Sequence, residues 1–206
     1  MIKFVYFDLG GVTMLDYSGT HKWQEMKRDM GITTETDATF EAIWKRHAYE
    51  VCTKYDVDNL IPTLTSELKI RFSPDYSLLV DFANRFERNL SIWPIIEKIH
   101  VDTKVGLLTN MYPRMFDALK SRGILPPIEW DAIIDSSLVH CQKPEPEIYA
   151  IAEAAAQTKV NEILFVDNIQ VNLDTARSIG WQTFLYDSTK PEKSSIDLMD
   201  FFEKNK

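Results

Sequence analysis

IKFVYFDLGG, residues 2–11, is the stretch from which the fold can be predicted. Residues 2–7 form an apolar run interrupted only by Lys3, and an apolar run of this length predicts a buried strand. Gly10 and Gly11 follow Asp8, and a Gly-Gly pair predicts a tight turn. Asp8 is therefore expected at the carboxyl end of a buried strand.

Further short apolar runs along the chain predict strands at residues 105–108, 132–134, 163–166 and 183–186. Stretches with helical spacing separate them, at residues 112–122, 145–157 and 173–179. Strands that alternate with helices imply βαβ units and a mostly parallel sheet. The predicted fold class is α/β, with a Rossmann-like parallel sheet core flanked by helices.

Residues 16–89 follow a different pattern, because their apolar residues recur at helical spacing with no strand-like run between them. Turn-prone breaks divide this stretch into about four helices, and Pro94 suits the first turn of the next helix. In an open parallel sheet, ligands bind beyond the carboxyl ends of the strands. We therefore predict an all-helical cap of residues 16–89, inserted after the first strand, over a core of residues 1–15 and 90–206.

The composition limits the classes of function. A chain of 206 residues suits one α/β domain with a modest insertion. The net charge of −8 provides no positive field for nucleic acid or anionic lipid, and no run reaches the roughly 20 apolar residues of a membrane span. Cys52 and Cys141 are far apart, which favours reduced thiols over a disulfide or zinc site. We expect a cytoplasmic protein with no nucleic-acid or membrane partner; its oligomeric state is not determined by the sequence.

Four motifs follow the predicted strands: FDLGGV (7–12), LLTN (107–110), Lys143 with Pro144, and FVDN (165–168). The carboxyl ends of parallel strands meet at one edge, so their polar side chains are expected to converge there. This order, around a helical insertion, resembles the haloacid dehalogenase superfamily over nearly the whole chain. FVDNIQVNLDTARSIG, TNMY and QKPEPEIY are most similar to the subgroup that includes the amino-terminal phosphatase domain of soluble epoxide hydrolase and small sugar-phosphate phosphatases.

The resemblance implies a covalent mechanism in which Asp8 attacks phosphorus to give an aspartyl-phosphate, which water later hydrolyses. Lys143 is implied as the second catalytic residue, because its ammonium stabilises charge on the phosphoryl oxygens in the transition state. The residues implied to bind phosphate supply backbone amides, a hydroxyl, a side-chain amide and this ammonium: Gly10, Gly11, Thr109, Asn110 and Lys143.

The resemblance also implies Mg²⁺ as cofactor, held by the Asp8 carboxylate, the Gly10 carbonyl, Asp167 and Asn168. The cation shields the anionic nucleophile from an anionic substrate. Without it, two negative groups a few Å apart repel by roughly 1 to 4 kcal/mol. The phosphatase interpretation therefore requires the metal.

The sequence departs from the superfamily pattern at two positions. Most of its phosphatases carry, where Gly10 stands, an aspartate that protonates the leaving group; losing such a group adds about 3 to 5 kcal/mol to the barrier. Gly10 by itself predicts a preference for low-pKa leaving groups such as acyl or aryl phosphates, with Asp16 or a substrate group as candidate replacements. Asn168 replaces a usual aspartate ligand, which predicts weaker Mg²⁺ binding. Asn172 is expected to order its loop through bonds to the backbone.

Three functions are compatible with these residues. The leading one is a Mg²⁺-dependent phosphatase for a small phosphorylated metabolite, because a cap restricts access. The second is a 2-haloacid dehalogenase, in which Asp8 attacks carbon and halide leaves without a proton. Gly10 is compatible with this function because no general acid is needed. Asp167 counts against it, because its carboxylate would be unfavourable beside an anionic substrate. The third is a weakly active or inactive relative that binds a ligand, suggested by Gly10 together with Asn168.

Overall fold

A five-stranded parallel sheet forms the centre of the protein in a computed structural model that describes all 206 residues. The strands lie in the order β5-β4-β1-β6-β7, so the first strand of the chain is the middle one. Their bounds are β1 (Phe4–Phe7), β4 (Lys104–Thr109), β5 (Ala132–Asp135), β6 (Ile163–Asp167) and β7 (Gln182–Leu185). The predicted parallel α/β sheet is confirmed, and each predicted strand matches an observed one within two residues at either end.

The middle strand is apolar throughout because both faces of the sheet are covered. Val5 and Phe7 belong to one buried cluster, and Phe4 and Tyr6 belong to the other. Successive side chains of a strand point to opposite faces, so β1 contributes to both clusters in alternation. A continuous apolar run is the pattern expected of a parallel strand buried on both sides.

Six helices lie between or after the core strands: α5 (Trp93–His100), α6 (Met115–Ser121), α7 (Ser136–Val139), α8 (Pro146–Ala156), α9 (Gln170–Ser178) and α10 (Pro191–Asn205). Pro94 lies in the first turn of α5, as predicted. The helix predicted from residue 112 begins only at Met115, because Arg114 adopts a left-handed backbone (φ 67°) that a helix cannot contain.

Residues 16–89, called the helical segment below, contain four α-helices and a short 3-10 helix (Val57–Leu60): α1 (Lys22–Asp29), α2 (Asp37–Thr53), α3 (Ile61–Leu68) and α4 (Leu78–Arg85). Two short strands flank these helices and pair antiparallel, β2 (Met14–Leu15) with β3 (Glu87–Arg88). This ribbon was not predicted, because two residues are too few to show a period. The division of the chain into core and cap domains stays a prediction. None of the helices combines the length and the apolar character needed to cross a bilayer.

The helical segment contacts loops at the sheet edge where β4 and β5 end. After β4, Arg114 donates a hydrogen bond to Asp58 over 2.9 Å. After β5, the hydroxyl of Ser136 donates to the carbonyl of Cys52 over 2.7 Å. The segment therefore lies beside the carboxyl edge of the sheet, which is where ligands bind in folds of this type.

Candidate active site

Asp8 follows β1 directly and is almost buried. Its Oδ1 accepts hydrogen bonds from the backbone N–H of Leu9 at 2.7 Å and from the ammonium of Lys143 at 2.9 Å. The hydroxyl of Thr13 donates to the Asp8 carbonyl at 2.7 Å, which fixes the turn. These bonds engage one carboxylate oxygen and leave Oδ2 for attack on a substrate.

Lys143 joins two strand ends, because its ammonium also lies 2.7 Å from Oδ2 of Asp167, the last residue of β6. The same oxygen accepts a hydrogen bond from the Asn172 side chain at 3.0 Å, and Oδ1 accepts one from the backbone N–H of Ile169 at 2.7 Å. The loop-ordering bond expected of Asn172 therefore goes to a carboxylate rather than to the backbone. Both oxygens of Asp167 are occupied, so this arrangement supports a role in holding Lys143 rather than direct metal ligation.

The cluster of Asp8, Lys143 and Asp167 contains two carboxylates and one ammonium, a net charge of −1. Burial raises the pKa of Asp8, although the neighbouring Lys143 opposes this effect. Burial acts to lower the pKa of Lys143, but Asp167 and Asp8 raise it above its ordinary value. Lys143 is therefore held as a charged ammonium inside the protein, with the ring of Phe165 centred 5.1 Å from it.

Thr109 is the last residue of the neighbouring strand β4, and Asn110 follows it. Thr109 is buried, and its strand pairs with β1, the strand that precedes Asp8. The side-chain amide of Asn110 donates to the Lys143 carbonyl at 2.9 Å and accepts from the Lys143 N–H at 2.8 Å. This side chain therefore orders the backbone of Lys143, and its contact with phosphate stays a prediction.

Asn168 has one amide atom paired and one unpaired. Its Nδ2 donates to the hydroxyl of Ser18 at 3.1 Å, whereas its Oδ1 is buried without a hydrogen-bond partner. An unsatisfied buried acceptor costs about 1 to 3 kcal/mol, which a bound cation would offset. Gly11 has a φ of +74°, and a β-carbon there would lie 2.3 Å from Nδ2 of Asn168, so glycine is required next to this group.

These oxygens fit a hard divalent cation. Mg²⁺ prefers carboxylate and carbonyl oxygens; the Asp8 carboxylate supplies the first kind, and Oδ1 of Asn168, which has no hydrogen-bond partner, supplies the second. Gly10 lies in the same turn, two residues after Asp8. The donor set contains a single carboxylate, so it offers less charge than a site with two.

Asp16 reaches the same region from the beginning of the helical segment. Its Oδ1 accepts the backbone N–H of Ser18 at 2.8 Å. Its Oδ2 lies 2.6 Å from the point that a β-carbon on Gly10 would occupy. Burial raises the pKa of this carboxyl. From the sequence, Asp16 was only a candidate replacement for the missing general acid, because spacing along the chain does not give the distance between Asp16 and Gly10 in space.

Comparison with known proteins supports the fold. No protein-family model matches the chain. Bifunctional epoxide hydrolase 2 of Mus musculus and of Rattus norvegicus is 38% identical over 60 residues, which are 29% of this chain and 11% of those proteins. The chain therefore aligns with only about a tenth of the length of these curated relatives.

Solved structures with similar folds cover most of the chain. A predicted HAD-like family hydrolase from Porphyromonas gingivalis has a TM-score of 0.76 at 20% identity, over 97% of this chain and 98% of that one. A HAD family enzyme from Bacteroides thetaiotaomicron, in complex with magnesium and inorganic phosphate, has a TM-score of 0.73 at 16% identity, over 91% and 96%.

The L-2-haloacid dehalogenase from Xanthobacter autotrophicus, with chloropropionic acid covalently bound, has a TM-score of 0.60 at 22% identity, over 90% of this chain and 78% of that one. Phosphate-binding and dehalogenating proteins thus share this architecture. The chain has the haloacid dehalogenase-like fold that the order of its motifs predicted.

Proposed function

We propose that this protein is a hydrolase, a Mg²⁺-dependent phosphatase that acts on a small phosphorylated metabolite through an aspartyl-phosphate at Asp8. The observation that carries the proposal is the buried cluster in which Lys143 lies within 3 Å of both Asp8 and Asp167. Two parallel strands and the loop before α8 bring these residues to one edge of the sheet. The similar structure that holds magnesium and inorganic phosphate supports the same chemistry.

In the first step, Oδ2 of Asp8 attacks phosphorus and the bond from phosphorus to the leaving oxygen breaks. Lys143 stabilises the negative charge that develops on the phosphoryl oxygens, and Asp167 orients Lys143 through their 2.7 Å contact. In the second step, water attacks the phosphorus of the aspartyl-phosphate and inorganic phosphate is released. The hydroxyl of Thr109 would donate a hydrogen bond to the phosphate.

The metal would be held by the Asp8 carboxylate, the Asn168 side-chain carbonyl and the backbone carbonyl of Gly10. When bound, Mg²⁺ neutralises charge between Asp8 and the phosphate and helps to stabilise the transition state. Because the cluster of Asp8, Lys143 and Asp167 carries a net charge of −1, such a cation would reduce the repulsion that a phosphate group meets there. Because Asn168 is neutral, we expect weaker Mg²⁺ binding than in a site with a second carboxylate.

The proposal of a small substrate rests on the position of the helical segment. Arg114 in the loop after β4 and Ser136 at the start of α7 hydrogen-bond to it, and these contacts hold it against the sheet edge. A segment held there would restrict the access of a folded macromolecule to Asp8. The identity of the metabolite depends on side chains of the segment that face it.

The decisive experiment measures phosphate release from acetyl phosphate with Mg²⁺ or with EDTA, for the wild type and Asp8→Asn. We expect Mg²⁺-dependent release that falls at least roughly 10³-fold in the variant. Asp135→Asn is the matched control, because Asp135 is also a buried carboxylate at a strand end and its bond to the Ser137 N–H can be kept by asparagine. Release that survives Asp8→Asn would contradict the proposal.

A 2-haloacid dehalogenase is the second candidate, and one contact favours it. Lys143 neutralises Asp167, so the carboxylate that counted against an anionic haloacid is not an unpaired charge. Chloride release from 2-chloropropionate that needs Asp8 but no metal would support this function. If neither phosphate nor chloride is released, the result would support the third interpretation, a protein that binds a ligand without turning it over.

A further inference from the structure

We propose that Asp16 is the general acid and base of this site, entering from the helical segment to the place that a side chain at position 10 would fill. The inference rests on the proposed phosphatase function. It goes beyond that function by assigning the proton transfers to a residue outside the four motifs.

The geometry of Gly10 carries the proposal. A β-carbon on Gly10 would lie 2.6 Å from Oδ2 and 3.4 Å from Cγ of Asp16. No real β-carbon tolerates the shorter distance, so Asp16 in this position requires glycine at position 10. A carboxyl group therefore occupies the space beside the turn of Asp8, although it comes from another part of the chain.

A short chain of hydrogen bonds holds Asp16 there. The N–H of Ser18 donates to Oδ1 of Asp16, and the hydroxyl of Ser18 accepts from Nδ2 of Asn168. An aspartate at position 168 could make this contact only by accepting a hydrogen bond from the Ser18 hydroxyl. Both departures from the superfamily pattern therefore contact this loop: Gly10 leaves room for Asp16, and Asn168 bonds to Ser18.

Asp16 gives up one proton and regains one in each turnover. Asp8 attacks phosphorus, the ester P–O bond breaks, and the proton on the Asp16 carboxyl goes to the leaving oxygen. Water then attacks the aspartyl-phosphate and gives a proton to the Asp16 carboxylate, while the bond between Asp8 and phosphorus breaks. Inorganic phosphate leaves, and both carboxyl groups return to their starting states.

The proposal reverses the expectation from Gly10 alone. Without a general acid, the wild type should strongly prefer acidic leaving groups. If Asp16 provides the proton, that preference is weak in the wild type and becomes strong only when Asp16 is replaced.

Asp16→Asn tests this, because asparagine keeps an acceptor for the Ser18 N–H but cannot deliver the proton. We measure kcat/KM with Mg²⁺ on phenyl phosphates of equal size whose leaving groups range from p-nitrophenol to phenol. We expect a small loss for p-nitrophenyl phosphate and a loss of roughly 10²- to 10⁴-fold for phenyl phosphate. An equal loss on every ester, or no loss, would overturn the assignment, since a purely structural role does not depend on the leaving group.

A reciprocal variant provides a second measurement. Asp16→Ser removes the carboxyl while its hydroxyl can still accept the Ser18 N–H. Adding Gly10→Asp to it restores a carboxyl from the other side, and we expect phenyl phosphate turnover above that of Asp16→Ser alone. Thermal unfolding verifies that both variants fold; a folded double variant that is no faster would count against the proposal.

Failure of this inference can be distinguished from failure of the proposed function. A wild type whose Mg²⁺-dependent phosphate release is lost in Asp8→Asn, but whose leaving-group dependence is unchanged by Asp16→Asn, overturns only the role of Asp16. A wild type that releases no phosphate overturns the phosphatase function, and the role of Asp16 falls with it.

Discussion

The two sides of the candidate site are held in different ways. Asp8 and Asp167 extend from β1 and β6, which pair in register along their length, and Lys143 joins them in a buried cluster. Asp16 lies in a loop that two hydrogen bonds through Ser18 hold in place. A strand position is set by a ladder of backbone bonds, whereas a loop position depends on a few side chains. The sheet side should therefore matter for stability and chemistry, and the loop side mainly for chemistry.

Removing the centre of the sheet side should have the largest effect on stability. Lys143→Met leaves Asp8 and Asp167 buried without their counter-charge, and we expect a loss of about 3 to 5 kcal/mol in the free energy of unfolding. The measurement is urea unfolding monitored by circular dichroism. Lys193→Met is the control, because Lys193 pairs with Asp197 in solvent on α10, where such pairs contribute about 0 to 1 kcal/mol. Equal losses in the two variants would show that the buried cluster contributes no more than a surface pair.

The hydrogen bond from Asn168 to Ser18 joins the sheet side of the site to the loop side, and a substitution at Gly11 can disturb it. Gly11→Ala places a β-carbon 2.3 Å from Asn168 in a left-handed backbone, whereas Gly31→Ala meets nothing within 4 Å at a similar φ. We expect about 1 to 2 kcal/mol of destabilisation from the backbone in both, and about 1 to 3 kcal/mol more in Gly11→Ala from crowding. Urea unfolding of the pair isolates the crowding, and equal destabilisation would mean that the side chains of Asn168 and Ser188 move aside freely.

The smallest expected effect on stability is at the outer contact between the sheet edge and the helical segment. Arg114→Gln breaks exposed ion pairs with Asp56 and Asp58, and we expect at most about 1 kcal/mol of destabilisation. Arg177→Gln is matched to it, since the Arg177 side chain is 58% exposed against 57% for Arg114, but it pairs within α9. Hydrogen exchange at Val57–Leu60 should increase only in Arg114→Gln. Equal exchange in both variants would mean that Arg114 does not hold the segment.

Sequence reasoning located most of the fold because the buried strands are strongly patterned. β1 is a continuous apolar run that Asp8 follows, β6 is one that ends in Asp167, and both were predicted within two residues of their observed bounds. The ribbon of β2 and β3 was missed, since pairs of two residues have no period to read. The start of α6 was predicted three residues too early, because nothing in TNMYPR indicates that Arg114 takes a left-handed backbone.

The candidate site was predicted as a set of residues, but the partner of each side chain was not. The amide of Asn110 bonds to the Lys143 backbone, and Asn172 bonds to the carboxylate of Asp167 instead of the backbone. Each of these pairs is separated by several residues to several tens of residues along the chain. Hydrogen bonds between such positions depend on distances of a few tenths of an ångström, which residue spacing does not encode.

The sequence by itself determined the alternation of strands and helices, and with it the edge of the sheet to which Asp8, Thr109 and Asp167 belong. That much follows from local periodicity, because the carboxyl ends of parallel strands meet at one edge. Only the tertiary structure decided that Lys143 bridges two carboxylates and that Asp16 stands beside Gly10. The physical reason is that both arrangements depend on how loops of different origin pack in three dimensions, where volume and charge must be matched between residues that are not neighbours in the chain.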